Sequence, residues 1–439
     1  MTDQVSELIY QEQQRQQEMI GLIPSENIVS AEVAEVLSSC LSNKYSEGYP
    51  HKRYYEGNQV IDQIEVLAQD RIKALFGVPH VNVQPYSGSP ANSAIQFALM
   101  KPGDALMGLK LTMGGHLTHG HPEVTYSGRF FKSVQYGVRS DARINFEELR
   151  QLALEHQPTV IIAGNTAYPF ILDFAKFREI ADEIGAWLVA DISHITGLVV
   201  AGEHPSPVPD ADVVMSTTHK TFRGPRGAMI LVTERGLKRD PELGKKIDQA
   251  VFPGLQGGPH NATTAAIAIA AEEAAQPKFK TYGQQIRKNA QRLAETLLKR
   301  GVQLVGGGTE THLMIMDLSD KGYGLGTQVA FAMDVAGIYA NKNTVPTEPS
   351  SPFYPSGVRL GTPLITSRGM KEAEMEKIGN WIADVIEEVK QFELPKEKVE
   401  RGSFLKKFKG DVTHHSKLLA IRAEVKELCL QFPIVVASL

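Results

Sequence analysis

The stretch Asp212-Val-Val-Met-Ser-Thr-Thr-His-Lys-Thr-Phe-Arg-Gly-Pro-Arg-Gly-Ala-Met-Ile-Leu231 decides how this chain is read. A short apolar run ends at a lysine, Lys220, and a glycine–proline turn carrying arginines precedes a second apolar run. This is the pattern of a buried strand that delivers one amine to a turn. A partly desolvated lysine beside other cations gives up some of its preference for the charged form, so its free amine can attack a carbonyl. Schiff-base chemistry is the functional reading, and a surface lysine closing a strand is the bland one.

Outward from that stretch, strand-like runs recur at 81–85, 105–109, 131–136, 160–163, 187–190, 213–216 and 229–232, several separated by helical patterns such as 146–155 and 174–184. Such alternation predicts an α/β domain of mostly parallel strands joined by helical crossovers. Ligands of such sheets sit at the carboxyl ends of the strands. The expected ends carry Ser87-Gly-Ser89, Asn165-Thr-Ala-Tyr168, Asp191-Ile-Ser-His194 and Thr217-Thr-His-Lys220. Ser87, Gly88 and Ser89 open a predicted helix and form either an anion cup or an ordinary capped turn. Asp191 closes an apolar strand, where a carboxylate requires a cationic partner.

Three loops stand out. Residues 43–57 are too aromatic and charged for a strand and too rich in Gly and Pro for a helix, which marks a functional or partner-contacting loop. Met113-Gly-Gly-His-Leu-Thr-His-Gly-His121 has histidines that suggest either a metal site or a flat ring at a Gly-Gly turn; the glycines and Pro122 argue against the helix a metal pair would need. The Gly-rich segment 252–259 precedes a helix and is a second candidate for phosphate contact. Beyond it the pattern turns helical, and a domain boundary is expected near 280–300. Arg359 lies in an apolar strand of the C-terminal region, where a guanidinium requires an anion.

The bulk numbers fit an ordinary globular chain of more than one domain: 439 residues, 42% hydrophobic and 22% charged. A formal net charge of −4 from 46 basic and 50 acidic residues provides no global field for nucleic acid or membrane surfaces. No apolar run reaches membrane-spanning length. Cys40 and Cys429 are too few for a disulfide framework and suit a reducing compartment, so a cytoplasmic protein is expected.

A strand-end lysine, a strand-end aspartate, a phosphate cup, a flat-lying histidine and a lone arginine are each weak alone, but pyridoxal 5′-phosphate uses all of them. Its aldehyde takes a lysine, its ring nitrogen a carboxylate, and its phosphate a cup. The arginine would grip the α-carboxylate of an amino acid.

The same residues carry a resemblance. Ser25-Glu-Asn27, Asn43-Lys-Tyr-Ser-Glu-Gly-Tyr-Pro50, Lys52-Arg-Tyr-Tyr55, Gly114-Gly-His-Leu-Thr-His-Gly120, Thr217 to Gly227, Gln256-Gly-Gly-Pro259 and Gly357-Val-Arg-Leu-Gly-Thr-Pro363 make the chain resemble the serine hydroxymethyltransferase family over about Gln11 to Pro433. The resemblance implies the aminotransferase-like fold type I: a large domain with a mostly parallel seven-stranded sheet flanked by helices, an N-terminal helical arm, and a smaller α+β C-terminal domain. The expected divisions are 1–57 for the arm and interface loop, 58–285 for the cofactor-binding domain, and 286–439 for the C-terminal domain. It further implies that Lys220 forms the internal aldimine, Asp191 pairs with the ring nitrogen, His116 stacks on the ring, and Ser87, Gly88 and Ser89 bind phosphate. Thr166 and His194 would bond near the phenolic oxygen and the substrate, with Thr217, His219 and Arg226 supporting the lysine. Arg359 and Ser25 would hold the substrate carboxylate, and Glu47 would act as acid and base toward the substrate hydroxyl. Tyr45, Glu47, Tyr55, Gly257 and Gly258 would reach the site from a neighbouring subunit, making a homodimer, with a tetramer left open. Folate would meet Leu111, Gly115, Leu117 and Asn343; no metal is implied.

The implied activity is reversible transfer of the serine hydroxymethyl carbon to tetrahydrofolate, giving glycine and 5,10-methylenetetrahydrofolate. A folate-independent aldolase on 3-hydroxy amino acids is the rival within the same chemistry, and a non-catalytic relative that binds RNA or a protein is the rival outside it. The chain departs from the family pattern at Tyr86 and Met113, where histidine is frequent, at Thr166, where serine is frequent, and at Ser193, where alanine is usual.

Overall fold

The computed structural model describes residues 3–122 and 124–434. The outer ends of the expected arm (residues 1 and 2) and of the expected C-terminal domain (435–439) lie outside them. The chain divides into two compact units. One takes the chain up to Ile28, Ser140–Ala142, and the chain from Gln285 on; the other takes Val29–Arg139 and Arg143–Gln284. The division at Gln284 and Gln285 falls within the helix Pro277–Lys299.

The larger unit is built on a seven-stranded sheet. Its strands are β1 (His80–Asn82), β2 (Ala105–Leu109), β3 (Lys132–Tyr136), β4 (Val160–Gly164), β5 (Trp187–Asp191), β6 (Val213–Thr217) and β7 (Ala228–Val232). Their spatial order is β1-β7-β6-β5-β4-β2-β3. From β6 to β3 every pairing is parallel, while β7 runs antiparallel to both β6 and β1. Strands β2, β4, β6 and β7 are buried along their whole length, which is why they read as continuous apolar runs rather than as alternation. Helix Gly88–Leu99 packs Ala91, Ala94 and Ile95 into the core with Leu106, Val160, Val189 and Met215. The reversal of β7 has a local cause: the turn after Lys220 is short, and a parallel partner would need a crossover helix.

Several boundaries differ from the sequence expectation. The helix after the cup begins at Gly88 rather than at 91, so Ser87 to Ser89 belong to its start. The first strand is His80–Asn82, shorter than the expected 81–85, and beyond it the Gln84 N–H donates to Asn82 Oδ1 rather than to a ladder partner.

The smaller unit has a four-stranded antiparallel sheet of β8 (Gln303–Leu304), β9 (Leu313–Asp317), β10 (Asn341–Asn343) and β11 (Gly357–Gly361), in the order β8-β9-β11-β10. Helices Gly326–Val335, Glu372–Val389, Lys398–Thr413 and Ser416–Gln431 share a core with these strands through Val329, Ile378, Ile382, Phe408 and Val425. The N-terminal helix Gln4–Glu18 has no buried residue, and the chain then adds Ile20–Gly21 in parallel to Ile338–Tyr339. Arg368 ties these ends by donating to the carbonyls of Met19, Cys429 and Phe432 at 2.8, 3.0 and 2.9 Å.

Candidate active site

At the carboxyl ends of β4, β5 and β6 the larger unit encloses a cavity of about 250 Å3, a volume that includes the space at its mouth. Gly88, Asn92, His116, Asn165, Thr166, Asp191, Ser193, His194, Met215, Thr217 and Lys220 line it. The sequence-derived residues Gly88, His116, Thr166, Asp191, His194, Thr217 and Lys220 therefore converge from separate strand ends.

Asp191 ends β5 and is buried. Its Oδ2 accepts from Asn92 Nδ2 at 3.0 Å and from His119 Nε2 at 2.9 Å, and its Oδ1 accepts from the Ser193 N–H at 3.1 Å. Burial alone would raise this carboxyl, but the His119 hydrogen bond and the nearby basic groups outweigh it and hold the group below the usual carboxylate range. Asp191 is thus an ionised carboxylate whose Oδ2 is filled and whose Oδ1 keeps accepting capacity. Burial, then His119 and Lys220, lowers the His116 imidazole to about 4. Burial, with Lys220 and Arg226, lowers His219 to about 3. Both rings are neutral at pH 7.

Lys220 follows β6, whose end is pinned from the neighbouring strand: the Thr217 N–H donates to Ser193 Oγ at 3.0 Å. This gives the departure at Ser193 a structural role that an alanine cannot fill. The cup is equally tight. A Cβ on Gly88 would lie 2.7 Å from Thr217 Cγ2, so only glycine lets the helix start come this near to β6. Ser87 is the N-cap yet makes no side-chain cap bond, leaving the first-turn N–H groups of helix Gly88–Leu99 without a side-chain acceptor from it.

These residues fit pyridoxal 5′-phosphate. The cavity is lined mainly by polar side chains. The buried Oδ1 atoms of Asn92 and Asn165 on its wall have no hydrogen-bond partner among the described residues, and the walls offer an amine, an ionised carboxylate, a neutral imidazole and a helix N-terminus.

A second cluster forms elsewhere in the same unit. The Tyr45 hydroxyl donates to Glu47 Oε1 at 3.2 Å, and its ring meets Tyr55 edge-on at 5.2 Å. A Cβ on Gly257 would lie 3.3 Å from Glu47 Oε1, and one on Gly258 3.2 Å from Tyr45 Cζ. None of these residues lines the Lys220 cavity. Arg53 fixes their loop, donating to Asp62 Oδ1 at 2.8 Å, Glu65 Oε2 at 2.7 Å, and the carbonyls of Ser46 and Gly48. Tyr86 stacks on His260 at 4.2 Å and donates to the Gly258 carbonyl at 2.8 Å, so at this position the aromatic ring anchors the Gly-rich loop.

Of the folate candidates, Leu117 is exposed, Leu111 is half-buried and Gly115 is buried. Met113 Sδ accepts from the Val138 N–H at 3.4 Å, which gives the departure at Met113 a packing role. Arg226 is exposed. Ser25, Arg359 and Asn343 belong to the smaller unit. There Arg359 is buried on β11, which lowers its guanidinium to about 10, and it donates from Nε to Asn341 Oδ1 at 3.0 Å. The segment ending in Ser25 runs beside that strand, since the Gly361 N–H donates to the Leu22 carbonyl at 2.8 Å.

Asn92 and Thr118 escaped the sequence reading. The one signal for Asn92 was a buried-helix pattern interrupted by amides at Asn92 and Gln96, one turn apart on the helix after the cup, while Thr118 carried no role within the Gly114–Gly120 stretch.

The family model for serine hydroxymethyltransferase matches residues 1–382. A protein of that name from Acidothermus cellulolyticus is 59% identical over 382 residues, covering 87% of each chain. Those from Sorangium cellulosum, 53% identical over 98% of this chain and 94% of its own, and from Legionella pneumophila strain Corby, 48% identical over 98% and 97%, are similar along nearly the whole length.

Proposed function

The chain belongs to the serine hydroxymethyltransferase family, and we propose how its own residues divide the work of the reaction. The protein is a pyridoxal-phosphate-dependent transferase that interconverts serine and glycine with tetrahydrofolate as co-substrate. The convergence of Lys220, Asp191 and His116 on one cavity is the observation that supports the division proposed.

Bound pyridoxal 5′-phosphate supplies an electron sink for cleavage of the serine Cα–Cβ bond. Lys220 would hold it through its amine, and Asp191 would pair with its ring nitrogen, because an ionised carboxylate favours the charged form of that nitrogen. Ser87, Gly88 and Ser89 hold its phosphate at a helix N-terminus. His116 packs on the ring as a neutral imidazole, and Thr166, His194, Thr217, His219 and Arg226 line or support the lysine. Arg359 and Ser25 hold the substrate carboxylate by charge-assisted bonds. Glu47 takes and returns the proton of the serine hydroxyl. Leu111, Gly115, Leu117 and Asn343 receive the folate.

Glu47, Tyr45, Tyr55, Gly257 and Gly258 form a cluster apart from the Lys220 cavity, which supports a homodimer in which each subunit completes its neighbour's site. Among the described residues no helix is long and apolar enough to cross a membrane. With free cysteines at Cys40 and Cys429, a cytoplasmic location is proposed.

The test is glycine formation from serine with and without tetrahydrofolate. Strong dependence on the folate is expected; a rate unaffected by it would favour the aldolase.

A further inference from the structure

Asn92 is buried in helix Gly88–Leu99 and donates from one amide nitrogen to two acceptors, Asp191 Oδ2 at 3.0 Å and Thr118 Oγ1 at 2.9 Å. An ionised carboxylate only accepts, so the amide NH2 must face Asp191 and the amide oxygen cannot. Thr118 Oγ1 has therefore already accepted a bond, and its own proton is free for the acceptor 2.8 Å away, His116 Nδ1. The Thr118 backbone N–H reaches the same nitrogen at 3.2 Å. With two donors on one lone pair, Nδ1 carries no proton, and the proton of the neutral ring lies on Nε2.

We propose that Asn92 and Thr118 are positioning residues that transmit the ionised state of Asp191 to His116 and hold its imidazole as the neutral Nε2–H tautomer. The donor chain runs from Asn92 to Thr118 to His116: Asp191 orients the Asn92 amide, and the Thr118 backbone N–H on Nδ1 fixes the direction of the last bond, since a hydroxyl that has accepted once can accept again. The other titratable groups around His116 agree with it. His119, its ring 5.4 Å away, also carries its proton on Nε2, which it donates to Asp191, and Lys220 adds positive potential that opposes a further proton. A protonated His116 would have to place a hydrogen on Nδ1 against the Thr118 backbone N–H, losing that bond and turning the Thr118 hydroxyl from donor to acceptor. With Nδ1 occupied in this way, His116 contributes its face and takes no part in proton transfer through that nitrogen, which leaves acid–base work to groups such as Glu47. Only this consequence rests on the functional reading above; the tautomer is a property of the protein itself.

The test is long-range proton–nitrogen correlation NMR of holoprotein labelled with 15N-histidine, with the His116 signals assigned by their loss in His116→Phe. The expected pattern is a pyridine-type Nδ1 and a protonated Nε2 near pH 7. Thr118→Val should shift His116 toward mixed tautomers, and Thr118→Ser should restore the native pattern. A native His116 with a proton on Nδ1, or a Thr118→Val tautomer identical to the native one, overturns the proposal. If Thr118→Val does not fold, the native spectrum and Asn92→Ala decide in the same way: an unchanged tautomer in Asn92→Ala counts against transmission. Serine cleavage measured on the same native sample separates failure of this inference from failure of the functional reading, since neither readout depends on the other.

Discussion

At the scale of single residues, Lys220 and Asp191 are the groups proposed to carry the chemistry. Lys220→Ala removes the amine, and turnover from serine should fall to background in a glycine-formation assay; turnover at the native rate would remove Lys220 from its role. Asp191→Asn keeps the shape but gives up an ionised acceptor, a change of about 1.5–3 kcal/mol for a hydrogen bond to a charged group. Cofactor affinity measured by equilibrium dialysis should weaken about tenfold to a hundredfold. These two residues were legible because each is a lone charged side chain at the end of an apolar run. Asn92 and Thr118 were not. Asn92 sits among Ala91, Ala94 and Ile95, and nothing in the sequence tells that its partners, Thr118 and Asp191, come from distant loops and strands.

Among the elements, the helix start at Gly88 and the loop held by Arg53 set the geometry. Gly88→Ala forces a methyl to 2.7 Å from Thr217 Cγ2, and overpacking of this kind costs about 1–3 kcal/mol. Urea unfolding should report that loss, together with weaker phosphate binding. Arg53 lies buried against Asp62 and Glu65, so Arg53→Ala leaves buried carboxylates unpaired, a change of about 3–5 kcal/mol where a buried pair is broken. A protease digest should then cut within 43–57 faster than in the native protein. The strands of the sheet were legible because full burial writes continuous apolar runs. The reversed direction of β7 was not, because a buried strand reads alike in either direction. Helix Lys398–Thr413 was not legible, since just Arg401, Phe408 and Val412 are buried on it and leave no apolar stripe.

For the whole molecule, stability and assembly follow from the same groups. His116 and His219 lie at about 4 and about 3 when folded, against an ordinary 6.5. Between those values and 6.5 the unfolded chain binds protons that the folded chain refuses, so stability falls as the pH drops below 6.5, by up to about 1.4 kcal/mol per pH unit for each ring. Urea midpoints should be lower at pH 5 than at pH 7, with a shallower loss in His116→Gln; equal midpoints would contradict the burial of these rings. Assembly has its own test. Lys220→Ala and Glu47→Gln are each expected to be inactive, but refolded together they should regain about a quarter of the native activity if sites are shared between subunits, and none if each chain is self-sufficient. The most direct measurement is borohydride reduction of the whole holoprotein followed by peptide mass mapping. A single pyridoxyl group on the peptide containing Lys220 is expected, and its appearance on any other lysine would contradict the site assigned to this chain.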